Sequence, residues 1–410
     1  MLVWLAWILV GSSLFMVTFY MNVYRNMPVE EELAESELEE EPPVSILMPA
    51  YNEENVVERA IESALSVDYD NLSVVFVDDG STDKTLEKAR KYSGREEIKI
   101  IEHSQNQGKG KALNTALENA ESEYTIVQDA DSEIEGDVIR KGVNKLNADK
   151  DTGAVMTSIR PLEAETFVQK MQIIEYTLAN FYRNLMSHIK ILDMAPGAYS
   201  MYRTSHIKEL GGFDEENLTE DLELAWRIKK DGKSIEMAFH ESAKTEFPRT
   251  FKALYGQRVR WARGFISNAY EKRDMFFNDD YGWFGKFQLP SQLILPIFSV
   301  IGFWMIAAGL WEGLRAVLID IWATGFSLPG FGELDLYRTA LNFPAVIYVP
   351  LIAGVSFSAL ELKVAYSESD TKFRDALPLL IYFGTFFMVK GIFWMAAILK
   401  ELGRSEEVWS

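Results

Sequence analysis

The chain has 410 residues, a formal net charge of −20 and no cysteine. Such acidity argues against nucleic-acid binding as its main task, and the missing cysteines exclude disulfides, thiolate metal sites and cysteine nucleophiles. Its four histidines are scattered along the sequence, which disfavours a multi-histidine zinc site.

Hydropathy places one soluble domain inside a membrane frame. Leu2 to Tyr20 carry no charge. That run exceeds a signal-peptide core and lacks a basic leader, so residues 1–24 read as a permanent anchor. Residues 25–43 form an acidic linker, rich in glutamate between Glu30 and Glu41, that holds the globular part away from anionic lipid. Further charge-free runs span Phe287 to Trp311 and Thr339 to Leu360, and Ala376 to Leu399 is broken only by Lys390. Each is long enough to cross about 30 Å of hydrocarbon as a helix. Residues 287–400 are therefore expected to supply about three more spans, and 401–410 a tail. Arg25 follows the first run, and Arg258, Arg260, Arg263, Lys272, Arg273 and Lys286 precede the second. This bias predicts an integral protein of the cell membrane with the Val44 to Lys286 region cytoplasmic. Lys390 is costly in lipid; it either lines a path through the membrane or is relieved by snorkelling or a carboxylate partner.

Between the apolar ends, after Pro42-Pro43, strands and helices alternate. Val44 to Pro49 reads as a buried strand, followed by a helical pattern from Asn52 through Val56, Ala60, Ile61, Ala64 and Leu65. Leu72 to Val77 is a second strand and is followed by a helix through Tyr92. Ile98 to Ile101 is a third strand, before a helix around Ala112 to Glu118. Tyr124 to Val127 is a fourth, ending at Asp129-Ala130-Asp131. The alternation implies a mainly parallel sheet covered on both faces. Ligands bind such open sheets beyond the carboxyl ends of the strands, and there lie Tyr51-Asn52-Glu53, Asp78-Asp79-Gly80, Asn106 to Lys111 and Asp129-Ala130-Asp131. Any one of these could be an Asx turn or helix cap. Two carboxylates one residue apart can also hold a hard divalent cation that binds phosphate oxygens.

Leu218-Thr219-Glu220-Asp221-Leu222 opens a helix ending near Lys230, with Thr219 suited to N-capping and the acids to the helix dipole. Phe251, Leu254, Tyr255, Arg258 and Trp261 share one helical face, the mixture of aromatics and cations found in amphipathic helices beside a membrane.

Taken in order, Asp78-Asp79-Gly80-Ser81, Asn106-Gln107-Gly108-Lys109 running on to Asn114, Asp129-Ala130-Asp131, Thr219-Glu220-Asp221 and Gln257-Arg258-Val259-Arg260-Trp261 precede a cluster of apolar segments. Over about residues 44–270 this resembles the family 2 processive glycosyltransferases, the cellulose, chitin, hyaluronan and poly-N-acetylglucosamine synthases. The resemblance implies an α/β GT-A domain at 44–248, interfacial helices at 249–286, a nucleotide-diphosphate sugar donor and inversion at the anomeric carbon. It implies that Tyr51, Glu53 and Asp79 contact the nucleoside, with Asp78 shaping the same turn. Lys109 and Arg260 would approach the diphosphate, Asp129 the nucleotide, and Gln257 would help cover the donor. Asp131 would ligate Mg2+ or Mn2+. Asp221, beside Glu220, would be the general base, while Trp261 and the loop at Gly197 would meet the acceptor. A growing polysaccharide or a lipid is the implied acceptor, with membrane lipid and accessory or export subunits as further partners. Three readings follow: elongation of a β-linked polymer from a UDP-sugar such as UDP-N-acetylglucosamine, a single transfer to a polyprenyl phosphate, or a non-catalytic sugar-binding subunit.

Overall fold

A computed structural model describes residues 2–27, 40–135, 137–324, 345–369 and 376–403. The chain divides into two compact units, Asn26–Ser291 with Ala396–Ser410, and Met1–Arg25 with Gln292–Met395.

The first unit is built on one eight-stranded sheet in the order β3-β2-β1-β4-β7-β6-β8-β5. Strands β1 (Val44–Ala50), β2 (Leu72–Asp78), β3 (Ile98–Glu102) and β4 (Tyr124–Val127) are parallel, as the alternation predicts. Their residues are near-continuously apolar because helices cover both faces. Phe76 and Ile46 are fully buried, each contributing about 1.5–3 kcal/mol of transfer free energy. Helices α2 (Val57–Leu65), α3 (Thr85–Ala89) and α4 (Lys109–Glu118) connect these strands.

The second half of the sheet departs from the expected parallel pattern. After β5 (Ser132–Ile134), α5 (Val138–Ala148), β6 (Thr152–Pro161) and α6 (Phe167–His188) comes β7 (Ser200–Arg203). It lies antiparallel between β4 and β6. Helices α7 (Thr204–Glu209) and α8 (Glu220–Lys230) lead to the long β8 (Ser234–Thr245), which is parallel to β6 and antiparallel to β5. This last pairing sets Thr245 opposite Ser132, beside Asp131.

One helix starts later than its periodicity suggests. Asn52 has φ +58° and its Oδ1 accepts from the Thr82 N–H at 2.9 Å. Residues 51–56 are therefore a turn stitched to the loop after β2, and α2 begins at Val57. That second loop needs Gly80: its φ is +72°, and a Cβ there would collide with the Gln105 backbone.

Helix α9 (Phe251–Glu271) buries Leu254, Arg258, Val259, Ala262 and Phe265, while Phe251 and Trp261 stay exposed. The face drawn from sequence is thus split between core and surface. Over their described residues the four apolar segments are helical, in α1 (Leu2–Asn26), α10 (Leu289–Thr324), α11 (Ala345–Glu368) and α12 (Ala376–Leu402), and the start of the third, residues 339–344, lies outside the described residues. Among the described residues one stretch, Phe284–Trp304, is long and apolar enough to cross a membrane, where four were expected. Lys390 lies in α12 with its side chain exposed. The glutamate-rich segment from Glu30 to Glu39 lies outside the described residues, as does the tail from 404 on.

Candidate active site

The sequence singles out several motifs, and the structure brings three of them into direct contact. Lys109, the first residue of α4, places Nζ 2.7 Å from Asp129 Oδ1 and 3.0 Å from Glu220 Oε1. Gly197 closes the same cluster. Its carbonyl accepts from the Asp129 N–H at 3.0 Å, and a Cβ on it would come within 2.7 Å of Lys109 Nζ and 2.9 Å of both Asp129 oxygens. Gly197→Ala should therefore lower donor turnover at least tenfold, because either the lysine or the carboxylate must move by several tenths of an ångström. Steady-state kinetics at saturating donor, compared with folded yield, measure this.

Burial holds Lys109 toward neutrality, but Asp129, Glu220 and Asp221 together outweigh it and keep the ammonium charged well above its ordinary range. The acids respond the opposite way. Asp221 is pushed up to about 6, by burial first and then by Glu220, with Lys109 and the Leu222 N–H (2.8 Å) pulling it back. Asp131 also rises to about 6 through burial and Asp129, although Ser132 (2.9 Å) and Thr245 (3.2 Å) donate hydroxyl hydrogens to its Oδ1. Glu53, half-buried, reaches about 8 through burial and then repulsion from Asp131, Asp129, Glu246 and Asp83.

These hard, mutually repelling oxygens suit a divalent cation, which would relieve the repulsion that raises Asp131 and Glu53. Among the described residues no three Asp, Glu or His side chains close on one point. Asp131 is the carboxylate that could hold such a cation.

Asp78 and Asp79 shape loops. Asp79 is fully buried, with Oδ1 2.7 Å from His103 Nδ1, and Oδ2 accepts from the Gly108 N–H at 2.8 Å. It thereby fixes the Gly108 backbone, at φ +97°, from which Lys109 is launched. Asp78 Oδ2 accepts from the Ser81 N–H at 3.0 Å, while its buried Oδ1 has no partner among the described residues. Tyr51 is half-buried at the end of β1.

Thr219 occupies the N-cap of α8, but its hydroxyl makes no capping bond. It accepts from Asn268 Nδ2 at 3.2 Å instead, and a Cβ on Gly264 would overlap it. Helix α9 is thereby pressed onto the loop leading into α8, whose first residues are Glu220 and Asp221. Arg260 donates from Nη1 to the Leu218 carbonyl at 3.4 Å in the same loop. Gln257 and Trp261 instead meet Arg258. Reasoning from sequence missed Thr245, Glu246 and Glu175, and no local pattern singles them out. They reach the site through strand pairing and helix packing.

Residues 45–211 match the family model described as glycosyl transferase family 2. That match is a similarity over less than half of the chain. Among curated relatives, the chain is 28% identical over 233 residues to a poly-β-1,6-N-acetyl-D-glucosamine synthase of Staphylococcus epidermidis. It is 26% identical over 222 residues to the synthase of Staphylococcus aureus strain MSSA476. The alignments cover 57% and 54% of both chains, so it matches little more than half the length of these relatives. A solved mannosyltransferase from Pyrobaculum calidifontis, in complex with GDP-Man and Mn2+, covers 99% of this chain and 100% of its own at TM-score 0.63 and 19% identity. That likeness shows a shared GT-A-like α/β fold.

Proposed function

We propose that the transferase is an inverting, metal-dependent enzyme that elongates a β-linked polysaccharide from a UDP-sugar, most simply UDP-N-acetylglucosamine. The observation that carries this reading is Lys109, whose ammonium joins Asp129 of the donor motif to Glu220 of the base motif. Donor and acceptor chemistry then share one small volume floored by Gly197. The polymer is favoured over a single transfer by the relatives' names and by the order Gln257, Arg260, Trp261 on one helix packed against the base loop.

In this reading Asp221, ionised above about pH 6, accepts the proton of the acceptor hydroxyl. The acceptor oxygen forms its bond to the anomeric carbon as the bond from that carbon to the diphosphate oxygen breaks. One displacement inverts the centre, so no carboxylate nucleophile is needed. Negative charge grows on the departing diphosphate, where Lys109, Arg260 and the N–H groups opening α4 stabilise it. Asp131 would hold Mg2+ or Mn2+, which supplies Lewis-acid stabilisation of that leaving group when bound. Tyr51 and Glu53 would flank the nucleoside, and Trp261 would offer its ring to the acceptor sugar.

Membrane placement rests on a different observation. Large side chains exposed on α1 and α10 include Phe15, Trp304, Trp311, Leu318 and Trp322, apolar surface of the kind that marks a membrane or protein interface. We read the apolar stretch Phe284–Trp304 as a span that anchors the domain on the cytoplasmic face of the membrane and serves export of the product.

The test uses the full chain in lipid nanodiscs with radiolabelled UDP-N-acetylglucosamine. A hexosaminidase-sensitive polymer is expected in Mg2+ or Mn2+, and chelation should cut its formation by about 10²-fold or more, reversibly. A product of one sugar on lipid would overturn elongation, and an unchanged rate in chelator would overturn the metal.

A further inference from the structure

Arg258 lies outside the set of residues given a role above, yet it is more firmly held than its neighbours in the Gln257 to Trp261 segment. Its guanidinium carbon stands 4.2 Å from the Trp261 ring centroid. Its Nη2 pairs with Glu175 Oε2 at 2.8 Å, with side-chain exposures of 9% and 15%. Its Nη1 donates to Gln257 Oε1 at 3.0 Å. Behind it, Tyr176 packs on Phe247 with centroids 4.4 Å apart, so the partner on α6 is fixed to the core through the end of β8. Trp261 itself remains 37% exposed. One face of this indole is therefore covered by a planar cation, and the part left open is what a ligand can reach.

We propose that Arg258, locked by Glu175, is a positioning residue that covers one face of Trp261 and turns the other toward the acceptor sugar. It sets acceptor affinity and leaves the donor chemistry alone. The inference rests on Trp261 being the acceptor platform. A guanidinium suits the task because it stacks flat on an aromatic ring while its edge nitrogens hold a carboxylate, which a lysine ammonium cannot do at once. The ion pair matters because an arginine free to swing would leave the indole with several rotamers. A plain clamp between α6 and α9 would use the same ion pair, so the test must separate the two.

The experiment measures KM for a short β-1,6-linked N-acetylglucosamine oligosaccharide, kcat, and Kd for UDP, using the full chain in nanodiscs. The variants are Arg258→Ala, Arg258→Lys, Glu175→Gln, Trp261→Ala and the double Arg258→Ala/Trp261→Ala. Arg258→Ala and Glu175→Gln should raise the acceptor KM by roughly 3- to 30-fold, the span of a desolvated cation–π contact, with UDP affinity within about twofold of the parent. Arg258→Lys should fall between. The double variant should be no worse than Trp261→Ala, because the arginine acts only through the indole. Additive losses in the double variant, or a fall in kcat or UDP affinity with acceptor KM unchanged, would overturn the proposal and leave a helix clamp. If Arg258→Ala does not fold, Glu175→Gln carries the same comparison. An acceptor KM unmoved by Trp261→Ala would overturn the platform reading itself, a failure distinct from the others.

Discussion

Asp221→Asn should abolish sugar transfer, by about 10²–10⁴ in rate, while UDP binding changes by no more than about threefold. The amide is nearly isosteric and keeps the half-buried position at the start of α8, so the fold has little reason to respond. What disappears is an acceptor for the proton of the sugar hydroxyl. The parent enzyme carries a second signature of the same residue. Burial and Glu220 raise Asp221 to about 6, so below that pH the base is protonated and kcat/KM should fall about tenfold per unit. Above it the rate should level. The sign is fixed by the role: a general base works deprotonated, so a raised pKa shifts the acid limb upward into the physiological range. A titration of turnover from pH 5 to 8, with isothermal binding of UDP to both forms, measures both parts. Transfer surviving in Asp221→Asn would remove the base assignment.

The motifs at strand ends were legible because each obeys a local rule. Four apolar runs end in Asp, Asn or Gly, and such ends must gather on one rim of a parallel sheet. Asp129 and Lys109 were found this way, after β4 and β3, whereas Glu220 was read from the opening of α8. The rest depends on register, which a single sequence does not display. Strand β7 is four residues long and antiparallel, and β6 and β8 carry Thr, Ser and Glu among their apolar residues. Thr245 reaches Asp131 only because β8 pairs with β5 across more than a hundred residues. Thr219 was read as a cap, which is its commonest role at that place. Packing overrode the local preference, since Asn268 and the bare Gly264 claim its side chain. Arg258 meets Glu175 across 83 positions, and no periodicity links them.

Lys109→Met should be the most damaging single change in both stability and donor affinity, with a pH dependence that identifies the cause. Lys109 balances Asp129 and Glu220 directly and Asp221 through space. Breaking a buried pair leaves its partner uncompensated at about 3–5 kcal/mol. Here Asp129 keeps 29% exposure, so solvent screening should reduce the loss to about 2–3 kcal/mol. The methionine fills similar volume, so the cavity contribution is small. Removing the cation takes away the charge that pulls Asp221 back, so its folded pKa rises further above the unfolded value. A raised acid contributes stability that is fully present below its unfolded pKa and lost as pH rises through the folded one. The variant should therefore lie close to the parent near pH 4 and fall progressively behind it above about pH 6. A clash or a cavity would give the same deficit at every pH. Adding Glu220→Gln to Lys109→Met should restore part of the loss at pH 8, because one of the unbalanced charges is gone, yet donor affinity should stay depressed by roughly 10- to 100-fold, since the diphosphate has lost its ammonium. Thermal midpoints at pH 4.5, 6 and 8 on the three proteins, with UDP binding at pH 8, separate the two effects. Recovery of both together would mean that Lys109 serves only to hold the acidic loops in place.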